Sequence, residues 1–253
     1  MIDKSVFAWP EARQGAVSIT YDDALPVHYE EVGPAWEAHG LRATFYTNIL
    51  SLMRHADAWR EMAARGHELG NHSIFHPCRK DGPGGMQWLA DAYDLRTYTP
   101  QRWTDEMRTA NFALSLIDGQ SERSFGNTCC NTELGQNETR ESLEPLIAEL
   151  FVAGRGPFNQ QVVDVASANF NALGHFSGDG RDFELLQREI DGAMESGGWI
   201  IYMIHGVGEG THGLYIDVEE HQKLVDYLGE QQDSIWSASV VQVAQYLQGY
   251  NPD

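Results

Sequence analysis

The wholly apolar run Trp199–Ile204 constrains the fold of this chain more than any other segment. It follows Phe183–Met194, whose apolar residues recur at helical spacing, and the pair Gly197-Gly198, which is typical of a helix C-terminus. A strand that is apolar at every position needs cover on both faces, as the strands of parallel sheets have. The sequence therefore predicts a parallel sheet with helices packed against it.

The same alternation of strands and helices recurs along most of the chain. It predicts strands at 16–21, 43–47, 68–70, 123–126, 151–154 and 199–204, and helices at 28–38, 56–65, 104–117, 138–150, 183–194, 218–231 and 240–247. Right-handed crossovers between parallel strands leave two architectures, an open doubly wound sheet or a closed barrel. A length of 253 residues favours a single domain spanning 1–253. An irregular insertion at about 77–100 is either a wall of a binding cleft or a mobile surface loop.

Charge and hydropathy exclude several classes of partner. The formal net charge is -20, which opposes binding to nucleic acid phosphates and to anionic membrane surfaces. A neutral or cationic substrate fits this charge better. The chain holds no apolar stretch near the roughly 18 residues that a membrane helix needs. We therefore expect no nucleic acid partner and no membrane span, whereas the oligomeric state stays open.

Carboxylates and imidazoles follow the predicted strands. Asp22-Asp23 follow the first strand, His72 and His76 the third, and His205 the last. Because the carboxyl ends of parallel strands meet at one edge, these side chains are expected to lie together. On a helical turn, His72 and His76 would share a face and reach one cation, with Asp23 as the third ligand. The ordinary alternative is that adjacent aspartates form a turn or a helix N-cap and that the histidines are surface residues.

A metal site of this kind favours hydrolysis. Three protein ligands leave an open position, and bound Zn2+ lowers the pKa of its water to roughly 7. With Asp23 on the metal, Asp22 is placed to take a proton from water. The pattern indicates a metal-assisted hydrolase. The sequence spacing of His175, His212 and His221 does not match that of metal ligands. We expect these histidines at the surface or packed against the ligand residues.

Cysteine usage and the N-terminus give weak information on the compartment. Cys78, Cys129 and Cys130 are too few and too oddly spaced for a disulfide scaffold, which favours a reducing or cysteine-indifferent compartment. Cys129-Cys130 are read either as a vicinal disulfide or reactive pair, or as two small buried residues. The first ten residues lack a basic region followed by an apolar one. The expected location is cytoplasmic, or secreted with the signal sequence absent from this chain.

Two motifs resemble those of the NodB-homology polysaccharide deacetylases, carbohydrate esterase family 4. Thr20-Tyr21-Asp22-Asp23 matches the family motif [ST]-[FY]-D-D, and His72-Ser73-Ile74-Phe75-His76 matches H-[ST]-x-x-H. A third, Met203-Ile204-His205, resembles the apolar strand that ends in L-x-H. The resemblance implies a distorted (β/α) barrel of about seven parallel strands, either closed or incomplete. It also implies that Asp22 is the general base, that Asp23, His72 and His76 are the metal ligands, and that His205 is the general acid.

The middle of the chain departs from the family pattern. The motif R-x-P-Y, whose arginine orients the base, has two imperfect counterparts, Arg123 and Arg155, of which Arg155 is taken as the candidate. Asp179-Gly180-Arg181-Asp182-Phe183 resembles D-x-x-D-W, which would make Asp179 the acid that tunes His205. The alternative for Asp179 is a capping turn before the following helix.

The resemblance implies a metal-dependent enzyme that removes acetyl groups from an N- or O-acetylated saccharide and releases acetate. The implied cofactor is a divalent ion, of which Zn2+ fits the ligands best and Co2+ or Ni2+ fit the same geometry. The resemblance also places Trp199 and Ile204 in the apolar wall around the acetyl methyl group. The alternatives are a hydrolase of a small cyclic amide or ureide on the same fold, and a catalytically silent carbohydrate-binding protein.

Overall fold

The computed structural model describes residues 2, 7–82, 86 and 88–249, so residues 83–85 and 87 of the predicted insertion lie outside it. The strands are β1 (Gly15–Asp22), β2 (Thr44–Thr47), β3 (Glu68–Asn71), β4 (Ser124–Gly126), β5 (Glu133–Leu134), β6 (Glu141–Ser142), β7 (Ala153–Phe158), β8 (Leu173–Ser177), β9 (Trp199–Ile204), β10 (Gly206–Val207), β11 (Tyr215–Ile216) and β12 (Ile235–Ser237). The helices are α1 (Gly33–Ala38), α2 (Ile49–Leu52), α3 (Ala56–Ala64), α4 (Pro100–Asp118), α5 (Glu144–Leu150), α6 (Phe183–Ser196), α7 (Val218–Glu230) and α8 (Val240–Gly249).

Seven parallel strands close into a barrel with the helices around it. The strand order is β1-β2-β3-β4-β7-β8-β9, and β9 pairs with β1 over Ala16–Tyr21 to complete the ring. The ring explains why β1 and β9 are apolar along most of their length, since each has the barrel interior on one face and helices on the other. The (β/α) barrel is confirmed, and of the two forms considered it is the closed one.

The barrel is distorted where β1 shares one edge between two neighbours. Gly15–Val17 pair with β12, whereas Thr20–Asp22 pair with β2 on the same side. β3 and β4 meet through one residue pair, Asn71 and Phe125, and the pairing of β7 with β8 shifts register between Arg155 and Phe158. The irregular pairings of β3 with β4 and of β7 with β8 lie on the side of the barrel that carries Arg155.

Two strands and one loop differ from the sequence predictions. β8 was not predicted because Gly174 and His175 interrupt its apolar pattern, and β12 was not predicted because it is only 3 residues long. Residues 72–76 form an irregular loop rather than the predicted helical turn. The predicted helix at 138–150 begins at Glu144, with Pro145 in its first turn.

A disulfide between Cys78 and Cys129 ties the insertion to the turn that follows β4. The alternative of a vicinal disulfide between Cys129 and Cys130 is wrong, because Cys129 pairs with Cys78 and Cys130 is free. The partners lie 51 residues apart in sequence, and only the return of the chain at β4 brings them together.

Within the described residues, no helix is both long enough and apolar enough to cross a bilayer.

Candidate active site

The predicted metal ligands converge at the carboxyl end of the barrel. Asp23 Oδ1 lies 3.3 Å from His76 Nε2 and 3.7 Å from His72 Nε2. One ligand atom from each of the three residues falls within 4.8 Å of the other two. A carboxylate with two imidazoles is a donor set that suits zinc and other divalent transition metals. The residues present therefore fit the ion that the resemblance implies.

Backbone geometry after β3 brings the two imidazoles together. Ser73 and His76 both have positive φ, at 69° and 52°. The turn is held by side chains, since Asn71 Oδ1 accepts a hydrogen bond from Ser73 N at 2.7 Å and Ser73 Oγ accepts one from His76 N at 2.8 Å. Glu106 on α4 accepts from the backbone N–H groups of Ile74 and Phe75, at 3.2 and 3.1 Å. The loop thus places His76 beside His72 without a helical turn.

His72 is held in the tautomer that a metal ligand needs. Its Nδ1 donates to the Gly126 carbonyl at 2.7 Å, which leaves the Nε2 lone pair facing the carboxylates. Burial lowers the pKa of His72 to about 4, so its imidazole is neutral near pH 7. For Asp23, burial raises the pKa, but the electrostatic effect of the neighbouring His76 and His72 outweighs burial and lowers the pKa overall. Both groups are in the form that binds a cation.

Arg155, rather than Arg123, contacts the predicted base. Its guanidinium donates to both oxygens of Asp22, at 2.8 and 2.5 Å, and to Thr20 Oγ1 at 2.6 Å. Arg123 instead pairs with Asp118, at 2.9 Å. Burial alone would raise the pKa of Asp22, but the charge and hydrogen bonds of Arg155 hold it well below its usual range. Asp22 is therefore an ionised carboxylate with fixed orientation.

The Tyr46 ring packs against the Arg155 guanidinium. The guanidinium carbon lies 4.7 Å from the ring centroid, within the range of a cation–π contact. The ring has room because Gly70 and Gly126 flank it. A Cβ atom at Gly70 would lie 2.5 Å from the Tyr46 ring, and one at Gly126 would lie 2.7 Å from it. The two glycines therefore allow an arginine from β7 to reach Asp22 across the barrel.

Asp179 holds His205 by two hydrogen bonds. The His205 backbone N–H donates to Oδ1 at 2.9 Å, and the ring Nδ1–H donates to Oδ2 at 2.7 Å. Burial by itself would lower the pKa of His205, but the hydrogen bond to Asp179 and the nearby carboxylates raise it overall. The alternative of a capping role for Asp179 is wrong, because the N-cap of α6 is Asp182.

His212 is a site residue that the sequence analysis missed. Its ring stacks on that of His205, with centroids 5.0 Å apart and planes 8° from parallel. Its Nε2 lies 3.9 Å from Asp23 Oδ2, and its Nδ1 lies 3.1 Å from both the backbone N and the carbonyl oxygen of Leu214. The loop between β10 and β11 folds it back over the site, and Gly206 permits this because a Cβ there would lie 3.0 Å from the His212 Cβ. The signal that could have found it is the glycine-rich sequence around it, Gly206 to Gly213.

These polar groups form the floor of a cavity of about 680 Å³. Its walls are largely apolar and include Met86 and Trp88 from the insertion, Met203 from β9 and Leu214 from the loop after β10. Trp88 and Leu214 are exposed at the rim. The predicted wall residues Trp199 and Ile204 are not among the lining residues. Trp199 is fully buried at the other end of β9, where its ring N–H donates to Ser18 Oγ at 3.0 Å.

Comparison with known proteins confirms the resemblance seen in the motifs. Residues 10–128 match the model of a family described as polysaccharide deacetylase. The match contains Asp22, Asp23, His72 and His76, and it ends before Arg155 and His205. A gellan lyase from Bacillus sp is 31% identical over 74 residues, which is 29% of this chain and 3% of that protein. The chain thus spans only a small part of that relative.

Solved structures share the fold across nearly the whole chain. A structure described as a putative polysaccharide deacetylase from Mycobacterium smegmatis is 14% identical, with a TM-score of 0.65 over 96% of this chain and 93% of that one. A peptidoglycan N-acetylglucosamine deacetylase is 14% identical, with a TM-score of 0.59 over 94% and 92%. A carbohydrate esterase family 4 pseudoenzyme from Bacillus anthracis is 16% identical, with a TM-score of 0.51 over 90% and 65%. At these identities the comparison shows the fold alone.

Proposed function

We propose that this chain is a metal-dependent hydrolase that removes acetyl groups from an N- or O-acetylated carbohydrate and releases acetate. One observation carries the proposal. The arginine-held carboxylate of Asp22, the ligand set of Asp23, His72 and His76, and the His205 ring that Asp179 holds all border one cavity. The fold also supports pseudoenzymes, so this set of residues, rather than the fold, favours catalysis.

Asp23, His72 and His76 would hold the divalent ion, for which Zn2+ is the best match to the donors. When bound, such an ion polarises a carbonyl oxygen and makes water more acidic. The negative net charge of the chain and the neutral His72 imidazole both favour a cation at this place.

The side chains of this site divide the proton transfers between them. Asp22 accepts a proton from water, and Arg155 keeps that carboxylate ionised and aimed at the cavity. His205, which follows the neighbouring strand β9, donates a proton to the leaving amine or alcohol. Asp179 fixes its ring with Nδ1 engaged, so that Nε2 serves the cavity. The Asn127 backbone N–H donates to the Arg155 carbonyl at 3.0 Å, so it is not available to stabilise an oxyanion.

The cavity walls indicate how a saccharide would be bound. Exposed Trp88 offers a flat face at the rim, and aromatic faces pack against the apolar faces of sugar rings. Met203 and Leu214 give an apolar surface for the acetyl methyl group. We assign His212 to substrate positioning: its Nδ1 lies 3.1 Å from both the backbone N and the carbonyl oxygen of Leu214, and with Nδ1 accepting from the N–H group, the Nε2–H would face the cavity as a donor.

The disulfide indicates the compartment in which the protein works. Disulfides persist mainly in oxidising compartments, so the Cys78–Cys129 bond favours a location outside the cytoplasm.

We further propose that residues 1–253 form one deacetylase domain, with the insertion at about 77–100 as part of its substrate cleft.

Acetate release tests the proposal directly. The metal-reconstituted protein should release acetate from N-acetylchitooligosaccharides or from acetylated xylan, and a chelator should abolish the release. Absence of acetate from both substrates, together with hydrolysis of a cyclic amide or ureide, would favour the small-substrate alternative. Binding of the saccharides without any turnover would favour a silent carbohydrate-binding protein.

Asp23→Ala tests the ligand assignment separately. Loss of one of three protein ligands should remove the stoichiometric metal and the activity together, as measured by elemental analysis after gel filtration. Asp233→Ala is the matched control, because Asp233 is exposed and remote from the cavity, and it should retain both. Stoichiometric metal in the Asp23→Ala protein would remove Asp23 from the ligand set.

A further inference from the structure

The Cys78–Cys129 disulfide lies directly against the proposed ligand His76. The His76 Nδ1 atom is 3.5 Å from Cys78 Sγ. One ligand atom from each of His76, Cys78 and Cys129 lies within 4.8 Å of the other two. The two sulfurs are bonded to each other, so they bind no ion in this state. Once separated, they would form a donor set of two thiolates and one imidazole, which suits zinc, cadmium and other soft or borderline metals.

His76 is common to both sets of donors through its two ring nitrogens. Its Nε2 faces Asp23 Oδ1 at 3.3 Å, whereas its Nδ1 faces the sulfur of Cys78. A neutral imidazole has one nitrogen with a free lone pair and one that carries a proton. It therefore binds a cation through Nε2 at the carboxylate site or through Nδ1 at the sulfur site, but not through both at once.

We propose that reduction of the Cys78–Cys129 disulfide creates a second metal site, formed by Cys78, Cys129 and His76, which competes with the site of Asp23, His72 and His76. Reduction adds two electrons and two protons to the disulfide and gives two thiols. A phosphine can supply the electrons and is oxidised to its oxide with oxygen from water. Each thiol then loses its proton when it binds the metal. In that state His76 binds through Nδ1 and donates Nε2–H to Asp23, a carboxylate–histidine–metal arrangement.

The donors should stay close together after reduction because other bonds hold both segments. On one side, Cys78 N donates to the Tyr93 carbonyl at 3.2 Å, and Leu95 N donates to the Cys78 carbonyl at 2.9 Å. Across the two segments, Thr128 Oγ1 donates to the Pro77 carbonyl, and Arg79 N donates to Asn131 Oδ1 at 2.8 Å. Cys78 is also fully buried. None of these contacts requires the disulfide.

Cobalt titration of the oxidised and phosphine-reduced full chain tests this proposal. Reduced protein should show the near-ultraviolet charge-transfer absorption of cobalt bound to thiolate, and oxidised protein should not. The band should be lost in Cys78→Ser and Cys129→Ser and retained in Cys130→Ser, the matched control. If reduced wild-type protein binds cobalt without the band, or if Cys130→Ser loses it, the sulfur site is refuted. Reduced wild-type protein alkylated with N-ethylmaleimide gives the same comparison without any substitution and should lack the band.

Metal stoichiometry tests the competition between the sites. The competition rests on the proposed function, because it takes the carboxylate site as the other holder of the ion. Reduced protein should bind one cobalt ion through His76 and lose acetate release, and reoxidation should restore the release. Two ions bound at once by reduced protein would refute the competition. If oxidised protein never releases acetate, the proposed function fails, yet the thiolate band still decides whether the sulfur site exists.

Discussion

A carboxylate lies at each end of the barrel, buried Glu68 at one and half-buried Asp23 at the other, and the two differ in how completely they are hydrogen-bonded. At the amino end, Glu68 accepts from Thr44 Oγ1 at 2.8 Å, from Ser124 N and Oγ at 2.9 and 2.6 Å, and from Val241 N at 3.1 Å. At the carboxyl end, Asp23 faces the ring nitrogens of His76, His72 and His212 at 3.3, 3.7 and 3.9 Å. Glu68 is therefore saturated by donors of the protein, whereas Asp23 stands among groups that can bind a cation.

The comparison separates carboxylates that hold the fold from carboxylates that do chemistry. A buried carboxylate with all its partners joins the elements that supply them, and Glu68 joins β2, β4 and the start of α8. An incompletely paired carboxylate beside imidazoles costs stability unless a ligand completes it. We therefore expect substitutions at the carboxyl end to change activity, and substitutions at the amino end to change the free energy of unfolding.

The largest expected effect is that of Asp22→Asn on turnover. An amide cannot accept the proton from water, so kcat should fall on the order of a thousandfold. The metal content should stay stoichiometric because Asp22 is not one of the proposed ligands. Acetate release and elemental analysis on the same sample check both parts, with Asp226→Asn, an exposed position, as the control. Unchanged turnover would remove Asp22 from the role of base.

At the amino end, Glu68→Gln should act on stability instead. The new amide places an N–H group toward donors that now point at a carboxylate, so the free energy of unfolding should fall by about 3 kcal/mol. Urea unfolding measures the loss, and Glu61→Gln, on the exposed face of α3, should change the free energy little. A Glu68→Gln protein of full stability but without bound metal would break the distinction between the two ends.

Asp179→Asn should shift the pH profile of the carboxyl end. His205 acts when protonated, so activity is present below its raised pKa and is lost as the pH rises through it. Removing the carboxylate charge lowers that pKa, so the alkaline fall in kcat/KM should move to lower pH. Asp182→Asn, three residues away, should leave the profile in place. A profile of Asp179→Asn that coincides with wild type would show that Asp179 does not tune His205.

The smallest expected effect is that of His212→Ala on substrate affinity. Loss of one hydrogen bond to substrate should raise KM about fivefold, which corresponds to about 1 kcal/mol, with kcat and metal content close to wild type. His212→Gln, which keeps a donor near the Nε2 position, should recover part of the affinity. Loss of metal in His212→Ala would instead make His212 a ligand of the ion.

The sequence predicted those residues of the site that lie at the carboxyl ends of strands. Asp22, Asp23 and His205 directly follow apolar strands, and parallel strands bring such residues to one edge whatever the details of the loops. The choice between Arg123 and Arg155 could not be made in this way. Both side chains are buried, and only the closed ring shows that Arg155 faces Asp22 while Arg123 faces Asp118.

Other residues of the site lie on loops, and loops have no sequence periodicity from which their geometry could be predicted. The left-handed residues Ser73 and His76 replace the helical turn that the His72–His76 spacing suggested. His212 lies on a loop between two strands of 2 residues each, too short to predict. The pairing of Cys78 with Cys129 depends on a contact across 51 residues, and cysteine spacing does not specify such a contact.

The packing of Tyr46 between Gly70 and Gly126 restricts how this site can change during evolution. With the aromatic ring filling the space beside β4, a side chain grown from Gly126 collides with it, and an arginine supplied by that strand has no path to Asp22. Moving the arginine would require the tyrosine to shrink first, which would remove the support under the existing guanidinium. Tyr46, the two glycines and Arg155 therefore form one packing unit, in which a larger residue at either glycine displaces the ring that contacts the guanidinium.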